Sequence, residues 1–175
     1  RAKKPGMDAE NNPLLAAYYK LRGYYGHQAW WPAEDRFEIL VGAILSQNTA
    51  GTHDEKVNAR LKQQGRCGSS EMAAIAAEQL APIIRSCGYF NQKADRLVGF
   101  SRWYLEQGGF AQLANLDSQD LRGLLLARHG IGEETADDML LYAFDRPSFV
   151  IDAYTRRLFS RLGLLEEKLS YPRMQ

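Results

Sequence analysis

Only two of the 175 residues are cysteines, Cys67 and Cys87, far apart and in no Cys-x-x-Cys pair. Two thiols cannot supply the four ligands of a structural zinc or an iron–sulfur cluster, and both read as reduced, mostly buried side chains. The three histidines, His27, His53 and His129, lack metal-ligand spacing, so neither a metal nor a cofactor is expected. Long apolar runs are missing too. Nothing approaches the roughly 18 residues of a membrane span, and the polar, lysine-bearing start has no apolar core of a secretory signal. The expectation is a cytoplasmic chain that enters no membrane. Nor is there an excess of one charge: 22 Lys and Arg stand against 21 Asp and Glu. That balance neither favours nor excludes nucleic acid, which requires a basic face rather than a basic total. From Ala153 onward, Arg156, Arg157, Arg161, Lys168 and Arg173 face only Glu166 and Glu167. A solvated helix face would by itself account for that run.

Strand patterns are nearly absent. The one extended candidate, Ser148 to Ile151, is too short to seed a sheet. Helix punctuation dominates instead. Asn12 before Pro13 is an N-cap with proline in the first turn, and predicts a helix from about 13 to 24. Phe37, Leu40, Val41, Ile44 and Leu45 form the stripe of a helix buried along one face, with Gln47, Asn48 and Thr49 at its end. Thr52 caps a third helix holding Val57 and Leu61. Gly65 to Ser70 reads as a turn, and Gly88 closes a short helix containing Pro82, Ile83 and Ile84. Asn91 caps a longer one carrying Leu97, Phe100 and Tyr104, ended by Gly108 and Gly109. Asp117 or Ser118 starts the next. The fold class is all-α, and the length suits one cooperative unit. The end, Leu164 to Gln175, carries few apolar residues and reads as cut short of a final helix.

Two local patterns carry chemistry. Between Leu121 and Ala143 the order is helix, Gly130-Ile131-Gly132, helix. Two glycines let the backbone turn sharply while Ile131 plugs into the core, and the second helix, opened by Glu133, Glu134 and Thr135, aims free N–H groups outward. Such a terminus suits a phosphate, although a Gly-x-Gly turn between helices is also simply a turn. Asp152 follows the apolar run Phe149 to Ile151 and precedes the Arg156–Leu162 helix. Its plain role is an N-cap worth about 1 kcal/mol. The same carboxylate beside a sugar C1′ would stabilise the oxocarbenium-like charge of glycosidic cleavage or orient a water.

Together, Gly130-Ile131-Gly132, the loop Asp145-Arg146-Pro147 and Asp152 resemble the helix-hairpin-helix, Gly/Pro-rich loop and Asp signature of the endonuclease III-like DNA glycosylase superfamily. Leu45 to Thr49 resembles the segment whose glutamine enters the duplex where the flipped base has left, with Gln47 at that position. Gly88 to Ala94 resembles the stretch before the helix that precedes the hairpin, so the likeness runs from about Trp30 to Gly163. It implies a two-lobed helical fold forming a single glycosylase unit over 1–175. Residues 36–144, including the hairpin at 118–144, would make one lobe; 1–35 plus 145–175 would make the second, with the catalytic Asp152. Gln47, Gly130, Ile131, Gly132 and Thr135 would meet double-stranded DNA. No obligate protein partner is implied.

Two departures refine the expectation. Bifunctional members carry a lysine two residues after the second hairpin glycine, where this sequence has Glu134. A carboxylate forms no Schiff base, so hydrolysis without an imine is expected. The four cysteines of the cluster-bearing branches have no counterpart after the Asp152 helix. Trp30, Trp31 and Pro32 resemble instead the small cluster-free members that excise 3-methyladenine, whose aromatic side chains sandwich the flipped base. The second wall of that sandwich falls near Gly51, which has no side chain to stack. The expected activity is therefore a monofunctional glycosylase for an alkylated purine. The rivals are a glycosylase for a mismatched or oxidised pyrimidine, a DNA-binding module without turnover, and an all-α interaction protein whose hairpin is only a turn.

Overall fold

The computed structural model describes residues 12–47, 52–166 and 168–175, and for 52–55 the backbone alone. Among the described residues the chain is all-α, without a strand. It divides into two compact units, one comprising Trp31–Val150 and the other Arg1–Trp30 with Ile151–Gln175.

The larger unit is organised around α2 (Arg36–Leu45). Its apolar stripe predicts one buried face, yet every residue from Phe37 to Leu45 is buried. The reason is that α3 (Thr52–Gln63), α6 (Phe90–Glu106), α9 (Glu133–Asp138) and the π-helical turn Met139–Ala143 all pack against it. A helix enclosed on all sides has little room for charge, and its one buried carboxylate is committed. Glu38 Oε2 accepts from the Glu34 N–H at 2.7 Å, while the Glu38 N–H donates to Asp35 Oδ1 at 2.8 Å. Asp35 thus caps the start of α2, and Glu38 ties down the residue before the cap. Lys62 Nζ adds ion pairs to Glu34 (2.8 Å) and Glu38 (2.9 Å). Those two hydrogen bonds hold its ammonium above the ordinary lysine range.

Short helices α4 (Ser69–Ala74) and α5 (Ala77–Leu80) pack on α6, and α7 (Gly109–Leu113) follows it after Gly108, whose φ is +80°. The helix expected around Pro82 to Ile84 is instead a run of turns followed by a 3₁₀ segment, Arg85–Cys87. Asn91 does not cap α6, which begins before it at Phe90. Tyr89 precedes it in the left-handed conformation (φ 45°, ψ 32°) with no side-chain cap. The backbone turn at Gly88 and Tyr89, rather than a polar side chain, sets this start.

Helix α8 (Ser118–Leu126) begins at Asp117, whose Oδ1 accepts from the N–H groups of Gln119 and Asp120, both at 2.9 Å. Those bonds pull the Asp117 carboxyl below the usual carboxylate range. Helices α8 and α9 are tied by a two-pronged ion pair. Arg122 Nε and Nη2 reach Asp137 Oδ1 and Oδ2 at 2.8 and 3.0 Å, and Ser148 Oγ donates to Oδ1 at 3.0 Å. Asp137 is fully buried, so these donors stand in for its lost water.

The smaller unit holds α1 (Pro13–Tyr25), α10 (Ala153–Arg161) and α11 (Tyr171–Met174). Asn12 caps α1 as its sequence predicts, accepting from the Leu14 and Leu15 N–H groups at 3.0 and 3.2 Å. Tyr171 and Met174 bury themselves with Ile151, and the Ile151 N–H donates to Tyr171 Oη at 3.3 Å.

Candidate nucleic-acid interface

Gly130 to Gly132 join α8 to α9 as the glycine spacing requires. Gly130 has φ +79°, a conformation that disfavours any side chain, and the buried Ile131 donates its N–H to Arg128 O at 3.1 Å. Gly132 precedes α9 with extended backbone (φ −95°, ψ −179°) and accepts from the Ala136 N–H at 2.9 Å. The first-turn N–H groups of α9 have no carbonyl ahead of them within the helix. Gly132 is exposed beside them, and a Cβ built on it would meet nothing within 4 Å.

Gln47 lies against this turn. Its Nε2 donates to Gly130 O and to Thr135 Oγ1, both at 2.9 Å, and its Oε1 accepts from Arg96 Nη1 at 2.9 Å. Residues expected from the sequence to meet DNA thus come together, from the end of α2 and from both sides of the hairpin. Thr135 is buried and spends its hydroxyl on Gln47, while Glu134 stands exposed in the same first turn. Position 134 therefore offers a carboxylate and no amine.

Two residues to which the sequence assigns no site role lie beside Gln47 and the hairpin. Arg96, in the second turn of α6, lies across Gly130 so closely that a Cβ there would collide with its Nε, Cδ and Cζ. Tyr89 is 67% exposed. With Gln47, Gln92, Lys93 and Arg96 it lines a cavity of about 100 Å³. Lys93 is buried beneath it. Its Nζ donates to Leu45 O at 2.6 Å and Cys87 O at 2.7 Å, pinning together the ends of the segments that carry Gln47 and Tyr89. An exposed aromatic at a glycine-led helix start was the available sign of Tyr89. Nothing local marks Arg96.

The adjacent tryptophans differ. Trp31 packs on Gly42 of α2, where a Cβ would lie 2.9 Å from its Cζ2, and stands edge-on to Tyr142 with ring centroids 5.5 Å apart. Trp30, in the smaller unit, is 60% exposed. Gly51, the position expected to lack the second stacking wall, lies outside the described residues.

In the smaller unit Asp152 N-caps α10. Its Oδ1 accepts from the Thr155 N–H at 2.7 Å, and among the described residues Oδ2 has no protein donor. The side chain is half-buried. One oxygen thus anchors the group while the other is available to solvent or substrate. On the same helix Arg157 lies over the exposed Tyr154 ring at 5.0 Å, and Arg156 Nη1 donates to Leu169 O at 2.9 Å. Part of the basic run therefore holds the unit together. Among the described residues no group of His, Cys, Asp and Glu could hold a metal ion, and no helix is long and apolar enough to cross a membrane.

Residues 41–175 match the family model of the HhH-GPD superfamily of base excision DNA repair proteins. A protein of Methanocaldococcus jannaschii, provisionally named a DNA repair glycosylase, is 44% identical over 161 residues, covering 90% of this chain and 73% of that one. Endonuclease III of Thermotoga maritima is 31% identical over 134 residues, 77% of this chain but 60% of its own length. Among solved structures, the H. pylori 3-methyladenine DNA glycosylase bound to 1,N6-ethenoadenine superposes with a TM-score of 0.79 at 30% identity, covering 93% of this chain and 77% of that one. An endonuclease III–DNA complex also gives 0.79, over 93% of this chain and 73% of that one, but at 21% identity it speaks to the fold alone.

Proposed function

Since the chain belongs to the HhH-GPD superfamily of base excision DNA repair proteins, we propose that it is a monofunctional DNA glycosylase that hydrolyses the N-glycosidic bond of an alkylated purine in duplex DNA. The observation that carries the absence of a lyase step is the exposed carboxylate of Glu134 in the hairpin's second helix, at the place where the resemblance puts an amine. Without an amine there, water is the nucleophile. Asp152, anchored through Oδ1, uses Oδ2 to stabilise positive charge developing at C1′ or to orient the attacking water. Water adds to C1′ as the base departs with the bonding electrons. An N3-alkylated adenine already carries positive charge, so it leaves neutral without a general acid.

The hairpin binds a phosphate through the N–H groups around Gly132, which positions the duplex without reading sequence. Gln47 fills the stack vacated by the flipped base. Flipping costs a few kcal/mol, less for a poorly paired lesion, which contributes selectivity. The exposed indole of Trp30 supplies a stacking face, and a cationic base gains roughly 0.5–2 kcal/mol there over a neutral one. No iron–sulfur cluster is part of this reading. The 3-methyladenine glycosylase at 30% identity supports the substrate class.

The substrate is tested by release of 3-methyladenine from methylated duplex, measured beside thymine glycol and beside uracil or thymine mispaired with guanine. Faster release of 3-methyladenine is expected. Faster release of a neutral base would show that the tryptophans serve packing alone and would overturn the alkylpurine reading.

The two hairpin glycines separate structure from binding. Gly130→Ala forces a left-handed alanine, costing about 1–2 kcal/mol, and displaces Arg96 besides. Its melting temperature should fall. Gly132→Ala keeps an ordinary φ and meets nothing, so its melting temperature should stay put while affinity for all duplexes drops alike. Melting curves and titrations with damaged and undamaged duplex check both, and a loss confined to damaged duplex would contradict a phosphate contact at Gly132.

A further inference from the structure

Gln47 is long and rotamer-rich, and a glutamine that enters a duplex from solvent must first be ordered. Here the ordering is already done by the protein. Arg96 has only donors, so the amide atom facing it must be Oε1, which turns Nε2 toward Gly130 O and Thr135 Oγ1. The stem of Arg96 occupies the space that any side chain at position 130 would fill, and its Nε is buried without a hydrogen-bond partner. A guanidinium turned inward over the hairpin in this way is poorly placed to serve as a free phosphate ligand.

We propose that Arg96 is a positioning residue for Gln47, fixing the orientation of its amide and seating it against the hairpin so that it meets the duplex already ordered. The proposal rests on the reading of Gln47 as the residue that fills the vacated stack. Arg96 acts through Gln47 and takes no part in the bond-breaking step. Its removal therefore costs only what Gln47 contributes.

The test is a double-mutant cycle of Arg96→Met and Gln47→Ala in the full chain, read by single-turnover base release from damaged duplex at saturating enzyme. Methionine keeps an apolar stem over Gly130 and removes the donors. Each single variant should be slower by roughly tenfold, the loss expected for one hydrogen bond to a charged group. The double variant should be no slower than either single. Arg96→Met should bind undamaged duplex with the parental dependence on salt. Losses that multiply, or a salt slope reduced by about one ion, would assign Arg96 to a phosphate and overturn the positioning role. Arg96→Met at the parental rate beside a slow Gln47→Ala would overturn that role alone. If Gln47→Ala itself releases base at the parental rate, the reading of Gln47 falls and takes the role of Arg96 with it. Should Arg96→Met melt early, Arg96→Leu, whose shorter apolar stem also removes the donors, replaces it in the cycle, and the same non-additivity is required of it.

Discussion

Asp152→Asn should leave the fold and duplex affinity nearly unchanged while base release falls by roughly 1,000-fold, the scale of losing one preorganised electrostatic contact to the transition state. The substitution suits the question because asparagine caps helices about as well as aspartate. Its side-chain oxygen can still accept from the Thr155 N–H, so α10 keeps its start. What disappears is the negative charge. A neutral amide cannot offset cationic character at C1′ or draw a proton from water. Circular dichroism, duplex titration and single-turnover release, measured on one preparation, separate the two contributions. Turnover within twofold of the parent would reduce Asp152 to a cap.

What the sequence reveals about this protein follows the range of the interactions concerned. The starts of α1, α8 and α10 were legible because Asn12, Asp117 and Asp152 bond N–H groups two or three residues away. The start of α6 was misplaced by two residues because no side chain caps it. The stripe on α2 revealed one buried face, whereas its enclosure depends on helices distant in sequence. The same limit governs the interface. Gln47 and the hairpin were each legible as motifs, but their hydrogen bonds join residues 83 and 88 positions apart, and Arg96 reaches Gln47 across 49. Trp30 and Trp31 could not be told apart from sequence, since only the close approach to Gly42 draws Trp31 onto α2.

Glu134 bears on the chemistry more sharply than any other exposed residue. An imine requires an amine to attack C1′, and reduction of that imine by borohydride leaves a permanent protein–DNA adduct. The carboxylate at position 134 forms no such intermediate, and the buried Lys93 is committed to two carbonyl oxygens. On the proposed reading, hydrolysis should instead leave an abasic strand that stays whole until heat or alkali cuts it. The most direct measurement is therefore a single-turnover reaction of the chain with methylated duplex in the presence of borohydride, resolved for free base, strand integrity and covalent adduct. The account predicts free 3-methyladenine, a strand broken only after alkali, and no adduct. A trapped protein–DNA species, or no released base at all, would contradict it.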